Sequence, residues 1–552
     1  MKPKLEAADA PPHDLAALVH RASSAAPDST AFGTVDGQQL TYASLAALLV
    51  RTRDALNARG LGVSDRVVTV VPNGPLAAAS FVALSSCVTT APLNPGYRAE
   101  EFEFFLDDIA PRALVVPRGF DTPAQAVAAE RGIPLVWLEP DESAPGAARS
   151  GNESALSFAL CFDDAADALP APASHTDQAG VDARSPRRKG FAGEADVALL
   201  LHTSGTTSRP KLVPLSHRNL TTSAANIART LALGPTDVCM NIMPLFHIHG
   251  LVGAVLASLA GGAGVVCTPG FDAFRFLAWL DACRPTWYTA VPTMHHAIAA
   301  RASRSGARND EVLARHRLRF IRSSSASLPR TVLESLETTF GCPVVESYGM
   351  TEASHQMTSN PLPPAPRKVG SVGIAAGPEV AIADADGTPL PRAAVGVVGE
   401  VLVRGESITN GYLHQAEANA HAFVGGFFRT GDLGWLDEDG YLFLSGRIKE
   451  LINRGGEKVS PAEVDRVLLE HPAVSQAVTF AVPHPKLGED VAAAIVVRDG
   501  VGVSERAIKE FVSERLADFK VPRTLVFVES IPKGPTGKLQ RTGLAKLLGL
   551  VT

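Results

Sequence analysis

Apolar residues recur along the chain in two rhythms. Segments such as LAALVHRAS and YASLAALLVRTRDALNARG space them three and four positions apart, as on one helix face, whereas RVVTVVP and ALVVP are short apolar runs that read as strands. Their alternation up to about Pro140 predicts an α/β architecture. The segment ADVALLLHTSGTTSRPK then reads as a buried strand running into a polar loop, and SHRNLTTSAANIARTLA as the helix that follows. Strand, loop and helix in that order form an arrangement suited to phosphate. Strands WYTAVP, LRFIRSS and PVVESYG alternate with helices to about Asn360, and glycine-rich β-like segments (GEVLVRG, GYLFLSG) continue to Arg447.

After Arg447 the pattern starts again. Ser460-Pro461-Ala462-Glu463 predicts an N-cap, a proline in the first helical position and a capping-box glutamate opening the helix PAEVDRVLLEH. With QAVTFAVP, VAAAIVV, ERAIKEFVSERLA and TLVFVES it makes a compact α+β unit of roughly 90–100 residues. That unit lies behind a hinge-like segment from Gly446 to Gly456 and closes on the loop IPKGPTGKLQR. The expected organisation is residues 1–447, a hinge at 448–450, and a small mobile unit at 451–552. Between about 141 and 193 the composition turns to Ala, Pro, Ser, Gly and Asp and ends in the cluster Arg184, Arg187, Arg188, Lys189. This reads as an exposed, partly mobile insertion whose basic end is a solvated loop. The uncharged run of 18 residues from Gly250 to Cys267 is broken by Gly261-Gly262-Ala263-Gly264, so it predicts a buried helix, a turn and a strand rather than a membrane span.

Composition narrows the classes. A chain of 552 residues with 46% hydrophobic and 20% charged positions buries several cores, and a net charge of −6 provides no global basic field for nucleic acid. Six cysteines without a C-x-x-C pair, and an N-terminus lacking an apolar leader, predict a cytoplasmic protein without zinc ribbons. Oligomeric state stays open.

The loop Thr203-Ser204-Gly205-Thr206-Thr207-Ser208-Arg209-Pro210-Lys211 offers hydroxyls, backbone N–H groups and two cations to polyphosphate oxygens, and it lacks the second glycine of a Walker A loop. Taken with Tyr348-Gly349-Met350-Thr351-Glu352, Asp432 in RTGDLGW, Arg447 and Lys449 in SGRIKELINRGGEKV, and Lys538 in PKGPTGKLQR, it resembles the adenylate-forming superfamily of acyl-CoA synthetases, peptide-synthetase adenylation domains and luciferases. The resemblance runs from about residue 30 to 545. It implies a large multi-subdomain N-terminal AMP-binding domain and a small mobile C-terminal lid, with ATP, Mg²⁺ and coenzyme A as cofactors.

Roles follow from the same resemblance. Thr203 to Lys211 would hold the β- and γ-phosphates, Tyr348 would lie on adenine, and Thr351 would bond the α-phosphate. Glu352 would bind Mg²⁺, an oxygen-seeking ion, and Asp432 would accept from the ribose hydroxyls beside Arg447. Ser325, Ala326, Ser327, Glu346, Ser347, Gly349 and Phe443 would complete the nucleotide pocket. Lys538 would reach across the cleft to the carboxylate and α-phosphate, and rotation about Lys449 would bring Gly455-Gly456 to a pantetheine tunnel. Ser208 and Leu212 stand where the family usually or often has glycine, the first a mild change if its φ is negative and the second expected to stiffen the loop.

The acid pocket in such proteins is lined by segments that here read MPLFHIHGL, RSSSASL and MTEASHQMTSNPLP. They are polar for a fatty or aryl site. His249, Ser325 and His355 could converge to bind a second carboxylate, with His247 as a gate, while His295-His296 read as helix surface. The wording TEASHQMTSNPLPP with HTSGTTSRPK resembles the oxalate-CoA ligase branch, which implies a small dicarboxylic acid, oxalate foremost. The alternatives are another short, medium-chain or aryl acid, or a stand-alone adenylation enzyme that loads a carrier protein.

Overall fold

A computed structural model describes residues 12–141, 156–162, 188–203, 210–303, 307–384, 386–391, 394–498, 500–534 and 537–551. Two large sheets, with parallel strands in their interiors, form the body. One has nine strands, with Trp287–Ala290, Phe320–Ser323 and Val344–Met350 adjacent and parallel, and with His355–Ser359 returning antiparallel beside the last. The other has seven, ending in Val197–His202 paired antiparallel with Leu212–Ser216. The helix Pro75–Ser85 is buried at all eleven positions, and its sequence PLAAASFVALS is rich in small residues, as a helix enclosed on every side requires. An antiparallel five-stranded sheet carries Phe427–Leu436 against Leu442–Arg447, and a mixed five-stranded sheet, built on the antiparallel pair Val474–His484 and Gly488–Val497 with Thr524–Phe527 parallel to the latter, belongs to the C-terminal unit.

The helix after the phosphate loop starts where expected. Ser216 Oγ accepts from Asn219 N at 3.1 Å, and Asn219 Oδ1 accepts from Ser216 N at 2.9 Å, so the helix His217–Thr230 opens on a reciprocal cap. Asn219 Nδ2 also donates to the carbonyls of Glu406 and Ile408, which ties the antiparallel sheet's loop to this helix. The uncharged run resolves into a π-helix at His249–Leu256, an α-helical turn at Ala257–Ala260 and the strand Gly264–Cys267. Among the described residues no helix is long and apolar enough to cross a membrane.

Two expectations change. The proposed insertion contains a strand, Phe158–Phe162, paired along its length with Leu135–Pro140, and Ala192 N donates to the Ser86 carbonyl, so its ends belong to the body. Arg188 pairs with Asp196 while remaining exposed, and Lys189 is exposed too, in keeping with a solvated basic end; Arg184 and Arg187 lie outside the described residues. At Ser460 the proline does open the helix, but no capping box forms. The Ser460 hydroxyl donates to the Ser445 carbonyl, and Glu463 takes Lys520 at 2.8 Å.

Candidate active site

The strand ends of the nine-stranded sheet, the antiparallel sheet and the loop before Leu539 meet in one cleft. Glu346 to Met350 come from the strand Val344–Met350, and Thr351 and Glu352 from a short 3-10 turn that follows it. Gly349 has to be glycine: a Cβ there would fall 1.4 Å from the His355 carbonyl oxygen, because the chain folds back on itself at this point.

At one end of the cleft the groups are charged. Tyr348 donates its hydroxyl to Asp432 Oδ2, and Arg447 Nε lies 2.8 Å from Asp432 Oδ1. The two are opposite each other in the ladder of Phe427–Leu436 and Leu442–Arg447. Burial raises the Asp432 carboxyl more than Arg447 and Tyr348 lower it. A carboxylate accepts about four hydrogen bonds, so Asp432 keeps capacity for further hydroxyls. Glu352, buried, accepts from Tyr412 Oη at 2.8 Å, and Lys211 Nζ stands 4.2 Å over the Tyr412 ring. Burial lowers Lys211, Lys449 lowers it further, and Glu352 opposes both. Thr203 N donates to the Lys211 carbonyl at 2.8 Å and Lys211 N to Thr203 Oγ1 at 3.1 Å, closing the neck of the phosphate loop. Ser204, Gly205, Thr206 and Thr207 lie outside the described residues. Burial carries Glu346 up to about 7 against the pull of two backbone N–H groups, and Ser347 Oγ donates to the Ser323 carbonyl at 3.3 Å.

Lys538 enters from the C-terminal unit. Its loop is pinned where Thr293 Oγ1 donates to the Gly537 carbonyl at 2.6 Å. Burial, then Arg447, lowers its ammonium to about 8, with Asp432 opposing. Its charge also reaches His247, His249 and His355 and disfavours their protonation, after burial, which is the leading cause in each. Lys538 is thus within electrostatic reach of both the charged end and the histidines.

The opposite end is buried, with two neutral imidazoles beside a guanidinium. His249, on the π-helix, and His355 are stacked at 4.7 Å between ring centroids. His249 Nε2 is 2.7 Å from Thr289 Oγ1, and its Nδ1 is 3.1 Å from Ser325 Oγ. Arg322, fully buried, places Nη1 2.9 Å from His355 Nε2 and donates from Nη2 to Gln356 Oε1 at 3.1 Å. Ser325 (φ 75°), Ser354 (φ 50°) and His355 (φ 96°) all hold left-handed backbone, and strain of this kind clusters at working sites. His247 is half-buried, pushed down to about 3, and accepts from His249 N at 3.2 Å.

Several expected residues stand elsewhere. Gly455 and Gly456 form an exposed turn with φ 61° and 101°, packed toward Leu487 rather than the cleft. Phe443 stacks flat on Trp435 at 4.3 Å, four residues along the strand from Arg447, or about 13 Å. Ala326 and Ser327 are exposed beyond Ser325, and Lys449 is exposed in the turn Ile448–Glu450. His295 is not helix surface: it is fully buried and its Nε2 lies 3.2 Å from the Arg322 carbonyl. Leu212 is a core strand residue. Arg322, Thr289 and Tyr412 were missed, although an arginine inside the apolar run of LRFIRSS is itself a signal.

Residues 19–413 match the AMP-binding enzyme family, and residues 463–538 match the AMP-binding enzyme C-terminal domain. The chain is 42% identical over 538 residues to a probable CoA ligase, CCL9, of Humulus lupulus, covering 96% of each. It is 41% identical over 540 residues to an oxalate–CoA ligase of Arabidopsis thaliana, covering 96% of this chain and 98% of the relative. Among solved structures, ATP-bound MatB from Rhodopseudomonas palustris superposes with a TM-score of 0.79 at 29% identity, covering 97% and 99% of the two chains; its apo form superposes at 0.72. With this cleft and these matches, the chain belongs to the AMP-binding enzyme family and is an ATP-dependent acyl-CoA ligase.

Proposed function

We propose that the acid is oxalate and that the products are oxalyl-CoA, AMP and pyrophosphate. The observation that carries this reading is the buried acid end, where two stacked neutral histidines stand in front of a buried arginine. An octanoyl or aryl tail would press apolar surface on these rings and offer no acceptor to the His355 Nδ1–H, whose other nitrogen is taken by Arg322, at a cost of roughly 1–3 kcal/mol. The identity to the Arabidopsis oxalate–CoA ligase supports the same acid.

In this reading residues 1–447 form the AMP-binding domain, 448–450 the hinge and 451–552 the lid. The loop from Thr203 to Lys211 holds the β- and γ-phosphates, Tyr348 lies on adenine, Asp432 accepts from the ribose hydroxyls, and Thr351 bonds the α-phosphate. Glu352 is the carboxylate for Mg²⁺, which needs only one or two protein carboxylates when phosphates supply the remaining oxygens and which neutralises phosphate charge. Its burial beside Lys211 and Tyr412 suits that task. His249, Ser325 and His355 hold the distal carboxylate, with His247 between them and Lys538. A proximal oxygen of the acid bonds to the α-phosphorus as the bond to pyrophosphate breaks, and the Lys538 ammonium stabilises the charge that builds on both. Rotation about Lys449 then withdraws Lys538 and brings Gly455-Gly456 to the cleft, where the CoA thiol attacks the acyl carbonyl and AMP leaves. The six free cysteines support a reducing, cytoplasmic setting.

The test is pyrophosphate release with ATP, Mg²⁺ and CoA across oxalate, malonate, acetate, octanoate and coumarate. Oxalate is expected to exceed octanoate and coumarate by at least about 100-fold in kcat/KM. A win for either long acid would overturn the reading. CoA compared with a carrier protein as acceptor decides between the two thiols, with CoA expected.

A further inference from the structure

Arg322 is a charged side chain with no exposure, in the middle of the nine-stranded sheet between Trp287–Ala290 and Val344–Met350. A strand covered on both faces ordinarily places Val, Ile or Leu there. Among the described residues no carboxylate pairs with it: Nη1 meets His355 Nε2, Nη2 meets Gln356 Oε1, and Nε has no partner. Burial lowers it only to about 9, so at neutral pH a full positive charge faces two neutral acceptors. Buried charges are normally paired, and each exception calls for an explanation.

The neighbours supply one. A guanidinium only donates, so His355 Nε2 accepts and the proton of the neutral ring is on Nδ1. His355 stacks on His249, whose two nitrogens are held by Thr289 and Ser325. The end wall is therefore neutral at its surface and cationic one layer behind. A monocarboxylate turns a methyl group or a tail toward that wall. A dicarboxylate turns a second anion toward it, able to accept from an imidazole N–H and attracted by the guanidinium through a medium of low dielectric.

We propose that Arg322 is a positioning residue that selects dianionic acids: it fixes His355 as an Nδ1–H donor and provides the buried positive charge that balances the distal carboxylate. This rests on the small-dicarboxylate reading and names the group behind its selectivity.

The experiment measures kcat and KM for oxalate and acetate in the full chain and in Arg322→Met and Arg322→Lys. For Arg322→Met, kcat/KM for oxalate is expected to fall about 100-fold, chiefly through KM, while acetate falls less than about tenfold. Arg322→Lys, which keeps the charge, is expected to recover about tenfold of the oxalate-to-acetate ratio. Equal losses on both acids without recovery by lysine would make Arg322 a packing residue and overturn the proposal. Because a buried substitution can unfold the chain, a second measurement uses the unaltered protein with ¹⁵N-labelled histidine, His355 being assigned against His355→Gln. An Nδ1-protonated ring supports the proposal, and an Nε2-protonated or doubly protonated ring overturns it. The unaltered enzyme's preference judges the substrate reading separately. If malonate beats oxalate, the same ratio is taken with malonate; if acetate or a longer acid beats every diacid, the substrate reading fails and the Arg322 proposal fails with it.

Discussion

At the charged end of the cleft the working groups come from separate parts of the chain and meet across a junction: Asp432 and Arg447 from the antiparallel sheet, Glu352 from a turn, Lys538 from the C-terminal unit. At the histidine end, Thr289, Arg322 and His355 come from strands of one sheet, Ser325 from the bend just after Phe320–Ser323, and His249 from the π-helix against them. The first arrangement can be dismantled by moving one loop, and the second cannot be altered without repacking a core. On the proposed function, the groups that would change partners during a two-step reaction are those where chain units meet, and the groups that would discriminate between acids are those held by a packed sheet, where a mismatched ligand would leave a buried polar atom unpaired.

The largest effect that would test this division is at Lys538. Lys538→Ala is expected to lower acid-dependent pyrophosphate release by about 100- to 1,000-fold, with the dissociation constant for ATP changed less than about threefold. Because the ammonium must carry its proton and its value is depressed to about 8, kcat/KM of the unaltered enzyme is expected to fall as pH rises through 8. Lys538→Arg should remove that alkaline limb, and a profile still falling at pH 8 in that variant would assign the limb to another group.

A smaller effect is expected at the rigid end. In Gly253→Ala the new Cβ would fall 2.5 Å from His355 Nε2, so the ring has to move off the Arg322 donor. Loss of oxalate activity by roughly 10- to 100-fold is expected, with ATP affinity retained and stability lowered by about 1–3 kcal/mol. A variant with normal oxalate kinetics would show that the stack does not set the pocket.

The smallest effect concerns acid. His295 is depressed by burial from 6.5 to about 4, so as pH falls the unfolded chain takes up the proton before the folded one. Its contribution is complete above about 6.5 and is lost as the pH falls toward 4. Between pH 7 and 5 that amounts to roughly 1–2 kcal/mol, and His295→Gln is expected to flatten the pH dependence of denaturant unfolding by that amount.

Much of the fold could be read from the chain, because buried strands such as ALLLH and helices such as SHRNLTTSAANIARTLA carry their period and their caps locally. The charged end was legible for a related reason: its residues lie in compact motifs. The acid end was only half legible. His249, Ser325 and His355 stood out because the segments that carry them are polar for a pocket lining, whereas Arg322 lies within a strand and its burial depends on contacts distant in sequence. His295 shares a helical face with Ile298, Ala299 and Ala302, all buried, so its position was readable from spacing alone. The Ser460 cap failed because a longer-range acceptor, the Ser445 carbonyl, took the hydroxyl.

The π-helix at His249–Leu256 makes the placing of His249 a matter of phase. Its wider turn accommodates a residue that an α-helix would not, and π turns of this kind are associated with functional sites. Removing a single residue between Leu251 and Leu256 would let the segment relax to α geometry and abolish the wide turn that sets where His249 stands relative to Ala257–Ala260, so that its ring would lose Thr289 and Ser325. On the proposed function, a one-residue deletion with no change in side-chain chemistry is then expected to alter which acid the enzyme prefers.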